Sequence, residues 1–560
     1  MIKILEGNEA IKKLKDTSFV TRWKELADHS EKFTVYLEFP YVSTWYRIYA
    51  DVFEPILVLG YKNNELIGLI PLARSIADKS IAHAGTNQSE YHGWLSTKNS
   101  EKEFLIQALV SLRDKYNLKK WEWGFLPPNS NVNWLFSKIL KEESIYGSVS
   151  EAITPLLDLS DETKIERLKK NKPTKVKFNR FKKRGDFYIE RINSITAAEE
   201  IFDQLKEQYD FRQFARYQHA PFVADPFKKK FQIEKLNHPE NCHFTVLWSQ
   251  KKPVAFNISD CDSETVVLGV MSYDPLEEKN SPAHLHVIQL AELLKQEGYR
   301  YLDLTPGNND YKRKYNNLEL NVFKLTLYFT KKGISKTKSR ELPKKVVKEV
   351  FSTIGMKPEK LSNIIASRGE KIKNLAPSKY KKDSYFFYKI LLEDLPINDN
   401  DYGKIHINNY ADLLLLNDID DTEKSRILSQ SLKRFYYGDT LYTLLEKDKL
   451  INFGWCSDNL RGQYLSEIDD KVESFEGNTV LYDFYINPGI NGNKSHFSIL
   501  EKMLLDCKKK GKKDVIVGAF TRDHDFRALI ENYEHVRYCK LKRINLLWYT
   551  KTSFDYFYDN

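Results

Sequence analysis

Cysteine is scarce in this sequence and scattered. The five, Cys242, Cys261, Cys456, Cys507 and Cys539, are odd in number and nowhere paired as a zinc ligand set or a redox dithiol requires. No metal site is signalled, and a reducing compartment suits the chain. Long apolar runs are missing too, since no stretch approaches the roughly eighteen residues of a membrane span. The start, "MIKILEGNEAIKKLKD", carries charges where a leader would have its apolar segment. The expectation is a cytosolic protein, with peripheral attachment at the inner face of the membrane as the one membrane role open to it. The motifs G-x-S-x-G, H-E-x-x-H and G-x-x-x-x-G-K-[ST] do not occur, nor does a reactive-cysteine motif. That removes the usual signatures of serine nucleophiles, zinc peptidases and P-loop phosphate binding.

What is present is the composition of a folding, globular chain: 560 residues, 41% hydrophobic, 29% charged and 13% aromatic. The length predicts three or four domains. The net charge of +10 is unevenly spread. Lys164 to Arg184 holds eleven Lys or Arg against one Glu, and 331–382 holds sixteen against four, so the rest of the chain is acidic. Such patches suit polyanions, whether cofactor phosphates, nucleic acid or an anionic membrane surface. Solvated helices or a linker are the alternative reading of both. The first patch has only Phe178 and Phe181 as aromatics, which argues against single-stranded nucleic acid.

One order of elements recurs three times: a β-hairpin, a strand, a helix and an exit strand. The hairpins are "PILVLGYKNNELIGLIPLAR" (55–74) turning at Lys62-Asn63-Asn64, "CHFTVLWSQKKPVAFNISDC" (242–261) turning at Gln250 to Pro253, and "TLYTLLEKDKLINFGWCSD" (440–458) turning at Lys447-Asp448-Lys449. The exits are "LVSLRDKYNLKKWEWGF", "LAELLKQEGYRYLDLTPG" and "LLDCKKKGKKDVIVGAFT", where apolar residues at helical spacing give way to a basic cluster and then a β run. The expected fold is α/β, with modules at 1–160, 161–330 and 396–560 and a basic helical linker at 331–395.

This order resembles the GCN5-related N-acetyltransferase (GNAT) core. The middle module ends in "DLTPGNNDYKRKY", which resembles the D-x-T-x-G-x-x-x-Y-K signature of the FemAB-like, cellulose-biosynthesis (CelD-like) acetyltransferases. "SPAHLHVIQLAELLKQEGYRYLDL" is similar to that family's S-P-G-x-x-L helix start, with Ala283 in place of Gly, and "RLKKNKPTKVKFNRFKKRGDFYI" to its basic helix. The resemblance covers about 1–330 and implies a tandem GNAT pair. The third module resembles a single GNAT domain, but its phosphate loop departs from the family's R/Q-x-x-G-x-G/A. Lys494 and His496 fall where glycines should let the backbone close on a pyrophosphate. Either Gly489, Gly492 and Lys494 hold phosphate in another way, or this module serves acceptor recognition or assembly.

Acyl transfer from a thioester to an amine needs a phosphate anchor, an oxyanion site, a base and an acid, and no covalent nucleophile. The resemblance implies acetyl-CoA or a longer acyl-CoA as co-substrate, no metal, and an amine on a glycan or lipid precursor of the cell envelope as acceptor. It places Lys312 in the active cleft, where the ammonium can hold a phosphate or an oxyanion, and offers Tyr311 as acid to the leaving thiolate. Asp303 closes the strand, as a functional carboxylate or as the residue fixing the Pro306-Gly307 turn. The helix start at Ser281, Pro282 and Ala283, with Gly307, is the expected donor anchor. His284 can donate to phosphate or act as base, while His286, two residues on, points elsewhere. Glu90 and Tyr91, in "GTNQSEYHGWL", and Arg212, spaced with Tyr209 and Arg216 on one helix face, are acceptor-contact candidates. Two other functions stay open: an aminoacyl-tRNA-dependent FemX-like transferase, which would use the first basic patch, and a silent GNAT-like scaffold.

Overall fold

The computed structural model describes residues 1–30, 34–307, 309–330, 381–393, 395, 404–458, 463–465, 470–472, 475, 477–486, 493–521, 523–546 and 549–556. They form a mixed α/β protein with two compact units. One holds Met1–Lys206, Asp225–Ser272 and the described residues from Pro282 to 330; the other holds Glu207–Ala224, Tyr273–Ser281 and the described residues from 381 on.

The first unit contains two sheets. β1 (Ile2–Glu6), β2 (Phe53–Lys62), β3 (Glu65–Ser75), β4 (Ile81–His83) and β5 (Leu95–Ser96) form a five-stranded sheet in which β3 pairs with both β4 and β5. The second sheet contains β6 (Lys120–Phe125), β7 (Tyr146–Asp158), β8 (Phe187–Arg191), β9 (Cys242–Ser249), β10 (Lys252–Cys261), β11 (Thr265–Tyr273), β12 (Tyr301–Asp303) and β13 (Leu318–Tyr328). Their order is β6-β13-β7-β12-β11-β10-β9-β8. The first module's exit strand, β6, therefore leaves its own hairpin and pairs antiparallel with β13, Trp121 opposite Leu327. In this unit β11 and β12 pair in parallel.

Three buried clusters hold these elements. Trp23, Tyr36, Tyr41, Trp45 and Tyr91 of the first module pack with Phe231, Val267 and Val322 of the second, which ties the two halves together. The helix Glu101–Tyr116 buries Phe104, Leu105 and Leu109 against Val58, Ile70 and Trp123. The helix Pro282–Gln296 buries Val287, Leu290 and Leu294 with Leu157, Leu268 and Leu302.

The second unit has an eight-stranded sheet built from β14 (Lys381–Leu391), β15 (Ile405–Ile407), β16 (Thr440–Glu446), β17 (Lys449–Ser457), β20 (Val480–Ile486), β21 (Asp514–Phe520), β22 (His535–Leu546) and β23 (Tyr549–Tyr556), with β18 (Gln463–Leu465) and β19 (Asp470–Val472) as a separate pair. β20 and β21 are the parallel pair. The expected linker at 331–395 lies outside the described residues up to 380. Its end is β14, between β21 and β22, because the aromatic run Tyr385 to Tyr388 is buried in that sheet. Phe211, Phe214 and Ala215, remote in sequence, complete this unit's core beside Trp455 and Tyr482.

All three hairpins close on two residues in the left-handed region: Asn63 and Asn64 (φ 50° and 67°), Gln250 and Lys251 (50° and 62°), Lys447 and Asp448 (49° and 59°). Such pairs match the twist of the flanking strands. In the first hairpin Gly60 faces Gly68, and the Phe104 ring lies on both. A Cβ at Gly68 would sit 2.4 Å from that ring. Gly68→Ala is expected to lower stability by about 1–3 kcal/mol through overpacking, measured by urea unfolding, and Phe104→Leu in the same chain to restore part of the loss.

Candidate active site

The site grows from the place where β11 and β12 part. Their parallel register runs Thr265–Tyr301, Val266–Leu302 and Val267–Asp303, then stops. Past Asp303 the chain turns away from β11 and follows β7: Leu304 N donates to Pro155 O (3.0 Å) and Gly307 N to Ile153 O (3.0 Å). Thr305 makes the turn at φ 67°, and Gly307, at φ 122°, occupies a conformation that side chains rarely adopt. β11 continues to Tyr273 beyond the three residues it pairs with β12.

Asp303 organises the parting strands. Its Oδ1 accepts from Thr154 Oγ1 (2.8 Å) and from Thr305 N (2.7 Å), and its Oδ2 accepts from Tyr91 Oη (2.6 Å). The side chain is buried, and burial raises its pKa against the pull of those donors. With three donors from the protein and 2% exposure, Asp303 ties the turn to β7 and to the loop of Tyr91. Tyr91, likewise buried, belongs to the same network through a 2.9 Å contact with Thr154 Oγ1.

Lys312 is 5% exposed, in the short helix Asp310–Arg313. Its Nζ donates to Thr305 O (2.9 Å), Thr305 Oγ1 (2.9 Å) and Pro306 O (3.2 Å). An ammonium has three hydrogens, and here all three are taken. Burial lowers its pKa, with Glu90 and Asp303 pulling the other way. The lysine clamps the turn that Asp303 begins.

Glu90 differs from both. It is partly exposed and its carboxyl has no hydrogen-bond partner among the described residues. Burial pushes its pKa up to about 7; Lys312 and Lys228 draw it down, and Asp303 and Asp260 push it further up. The loop carrying it is held on both sides. Tyr91 follows, and before it Gln88 donates to Asp225 Oδ2 (3.0 Å) and accepts from Lys228 Nζ (2.9 Å). Asp260 is a buried ion pair with Lys235 at 2.5 Å.

His284 has both ring nitrogens engaged: Nδ1 with Tyr315 Oη (2.7 Å), Nε2 with Thr174 Oγ1 (3.0 Å) and Lys314 Nζ (3.3 Å). Burial drives its pKa down to about 4, so it is a neutral tie between helices near pH 7. His286, fully buried, meets Thr245 Oγ1 at 3.1 Å, and burial takes it to about 3. Tyr311 is 50% exposed beside Lys312. Ala283 lies in the first turn of the helix Pro282–Gln296. Ser281 and Arg212 belong to the second unit, Arg212 with its guanidinium 3.6 Å from the centre of the Tyr273 ring. Gly489 and Gly492 lie outside the described residues, as does the side chain of Lys494. The structure thus brings Glu90, Tyr91, Asp303, Gly307 and Lys312 together. Thr154, Gln88, Lys228 and Asp260 join them and were not singled out in the sequence; Thr154 showed only as a polar residue in the apolar run "ITPLLDL". Among the described residues no group of three His, Cys, Asp or Glu could hold a metal ion.

The family model of the acetyltransferase (GNAT) domain matches residues 169–313. No curated protein matches the sequence. Solved structures that match include FemX, 9% identical over 54% of this chain and 95% of that one, TM-score 0.37. A tandem GNAT protein from the clavulanic acid biosynthesis pathway is 10% identical over 58% and 98%, TM-score 0.35. The C-terminal domain of a putative lysylphosphatidylglycerol synthetase from Agrobacterium fabrum is 11% identical over 55% and 90%, TM-score 0.36.

A carboxyl whose folded pKa is raised to about 7 holds its proton more tightly folded than unfolded, so it costs stability as pH rises from its ordinary value through about 7. Glu90→Gln removes that cost. The variant is expected to be about 1–3 kcal/mol more stable than the parent near pH 8, with the gap closing as pH falls toward about 4.5, read by urea unfolding across that range.

Proposed function

We propose that this chain, whose residues 169–313 match the family model of the acetyltransferase (GNAT) domain, transfers an acyl group from acyl-CoA to an amine, with Glu90 as the general base. The observation that carries the proposal is the carboxyl of Glu90: on a half-buried residue, without a hydrogen-bond partner among the described residues, and poised to exchange a proton near pH 7 where β11 and β12 part. A base works best when its pKa lies near the operating pH. His284 and His286, near 4 and 3, are too weakly basic for the task.

In this reading the donor's pantetheine lies along β11 beyond Val267, where β12 no longer pairs with it. The phosphates meet the first turn of the helix Pro282–Gln296, whose early N–H groups carry partial positive charge. The amine attacks the thioester carbonyl, Glu90 takes the proton the nitrogen loses, and the thiolate departs and is protonated by Tyr311. Asp303 and Lys312 touch neither substrate. They fix the turn at Thr305 and, through Tyr91, the loop that carries Glu90.

We assign the acceptor to an amino sugar or lipid-linked amine of envelope synthesis, on the family likeness of "DLTPGNNDYKRKY". Among the described residues no helix is long and apolar enough to cross a membrane. The test is release of free thiol from acetyl-CoA and longer acyl-CoAs, with amino-sugar and sphingoid amines offered as acceptors. Turnover with one of these pairs is expected. Absence of both CoA binding at micromolar affinity and turnover with any amine overturns the reading.

Two variants separate the roles. Glu90→Gln is expected to lower kcat/KM by about 10²–10³ and to abolish the acid limb near pH 7 while leaving the melting temperature at pH 7 no lower than the parent's. Lys312→Ala is expected to lower activity and stability together, the latter by about 1–3 kcal/mol, because two carbonyls and a hydroxyl lose their buried donor. A Lys312→Ala protein of unchanged stability and no activity would return the lysine to a direct catalytic role.

A further inference from the structure

Two basic helices follow β7, and their charges are spent differently. In the first, Glu162–Lys170, Lys169 pairs with Glu292 and Glu166, Lys170 with Glu166, and Glu162 with Lys295. In the second, Lys172–Arg184, the solvent face carries Lys172, Lys175, Arg180, Lys182 and Lys183, all exposed. None of these five has an ion-pair partner among the described residues. Positions 172, 175, 176, 180 and 183 recur at three- and four-residue spacing and so share one face. Val176, 41% exposed, lies in the middle of it.

The opposite face anchors the helix firmly. Phe181 stacks on Phe187 (centroids 4.7 Å apart, planes at 4°), Phe178 meets the same ring edge-on at 5.8 Å, and Thr174 holds His284. The cationic face is therefore presented on a fixed element, while the aromatic rings that could stack on exposed bases are turned inward.

We propose that the outer face of the helix Lys172–Arg184 docks on an anionic lipid bilayer. Charge complementarity carries the inference: five unpaired cations on one rigid face around a single exposed aliphatic side chain. The make-up favours lipid over nucleic acid. Four of the five are lysines, point charges suited to a diffuse layer of headgroups, whereas planar two-pronged phosphate and base contacts call on arginine. Bases of a single strand would find no ring to stack on. Val176 can enter the headgroup boundary as the cations settle around it.

The experiment is sedimentation of the full chain with vesicles of phosphatidylcholine containing about a third phosphatidylglycerol, against phosphatidylcholine alone, at about 0.05 M and 0.5 M salt. Binding is expected only with the anionic vesicles and only at low salt. Each basic group near such a surface is worth about fivefold in partition, so the triple variant Lys175→Gln, Arg180→Gln, Lys183→Gln should lose about a hundredfold. A control carrying Lys175→Arg and Lys183→Arg should keep binding, and all variants should melt with the parent, since these side chains touch solvent. Equal partition of the triple variant overturns the proposal, as does failure of the parent to bind anionic vesicles at low salt. Binding of bulk tRNA through the same three residues, with vesicles ignored, also overturns it and makes the face a nucleic-acid site. None of these readouts uses turnover, so the result stands apart from the proposed acyl transfer.

Discussion

The carboxylate of Asp303 is the interaction on which the first unit's site depends. Burying a charge without partners costs several kcal/mol, and Asp303 offsets part of that cost with three donors drawn from separate parts of the chain. Tyr91 comes from the first module's loop, Thr154 from β7 and the Thr305 amide from the residue two beyond. One group thus ends β12, turns the chain off β11 and fixes the loop next to Glu90. Replacing any one donor would leave the other two to hold a buried charge. The resulting strain would fall on the opening between strands, where the proposed chemistry is.

Glu90 and the buried histidines respond to burial in different ways. Burial acts on both. It drives His284 and His286 to their neutral forms, and hydrogen bonds to Tyr315, Thr174 and Thr245 then use those forms in packing. It drives Glu90 toward neutrality too, but Lys312 and Lys228 arrest the shift at about 7 and no donor among the described residues satisfies the carboxyl. Glu38 also reaches about 7, yet carboxylates, Asp262, Glu240 and Asp28, surround it and Asn241 binds it. Of the two acids, Glu90 alone combines a midpoint near neutrality with cations close enough to stabilise its charged form.

Much of this was legible in the sequence, at the level of elements. Lys62-Asn63-Asn64 announced the first hairpin because asparagine tolerates the left-handed region, and the observed turn is Asn63-Asn64. Gln250-Lys251 has no such preference, so the second turn was bracketed only as Gln250 to Pro253. The destination of β6 was not legible at all. "KWEWGF" reads as a strand, but its pairing with β13, two hundred residues on, is decided by tertiary packing. The signature "DLTPGNNDYKRKY" suggested an open cleft for its lysine, and the structure has Lys312 buried and bonded to the turn at Thr305. Asp303 binds the Thr305 amide and Lys312 binds the Thr305 hydroxyl and carbonyl, so the motif's residues largely bond one another. Spacing can reveal that such residues belong together; only the folded chain shows that their hydrogen bonds are already spent. Glu90, outside any motif, was named as a contact for the acceptor, and its shifted pKa arises from burial that no local pattern encodes.

Charge counting meets the same limit. The stretch from Lys164 to Arg184 has eleven cations and one acid in sequence, and from that ratio its two helices look alike. In the fold, Glu292 reaches Lys169 in the first helix, and Lys295 takes up Glu162, while among the described residues the second receives no such partner for its five outward cations. A net charge per segment measures what must be neutralised, and the three-dimensional neighbours decide how much remains for something outside the protein. What remains here is concentrated on one rigid face, and a rigid array loses less conformational entropy on docking than the same lysines on a coil would. The helix held by Phe181 and Thr174 is therefore better suited to a charged surface than its composition alone implies.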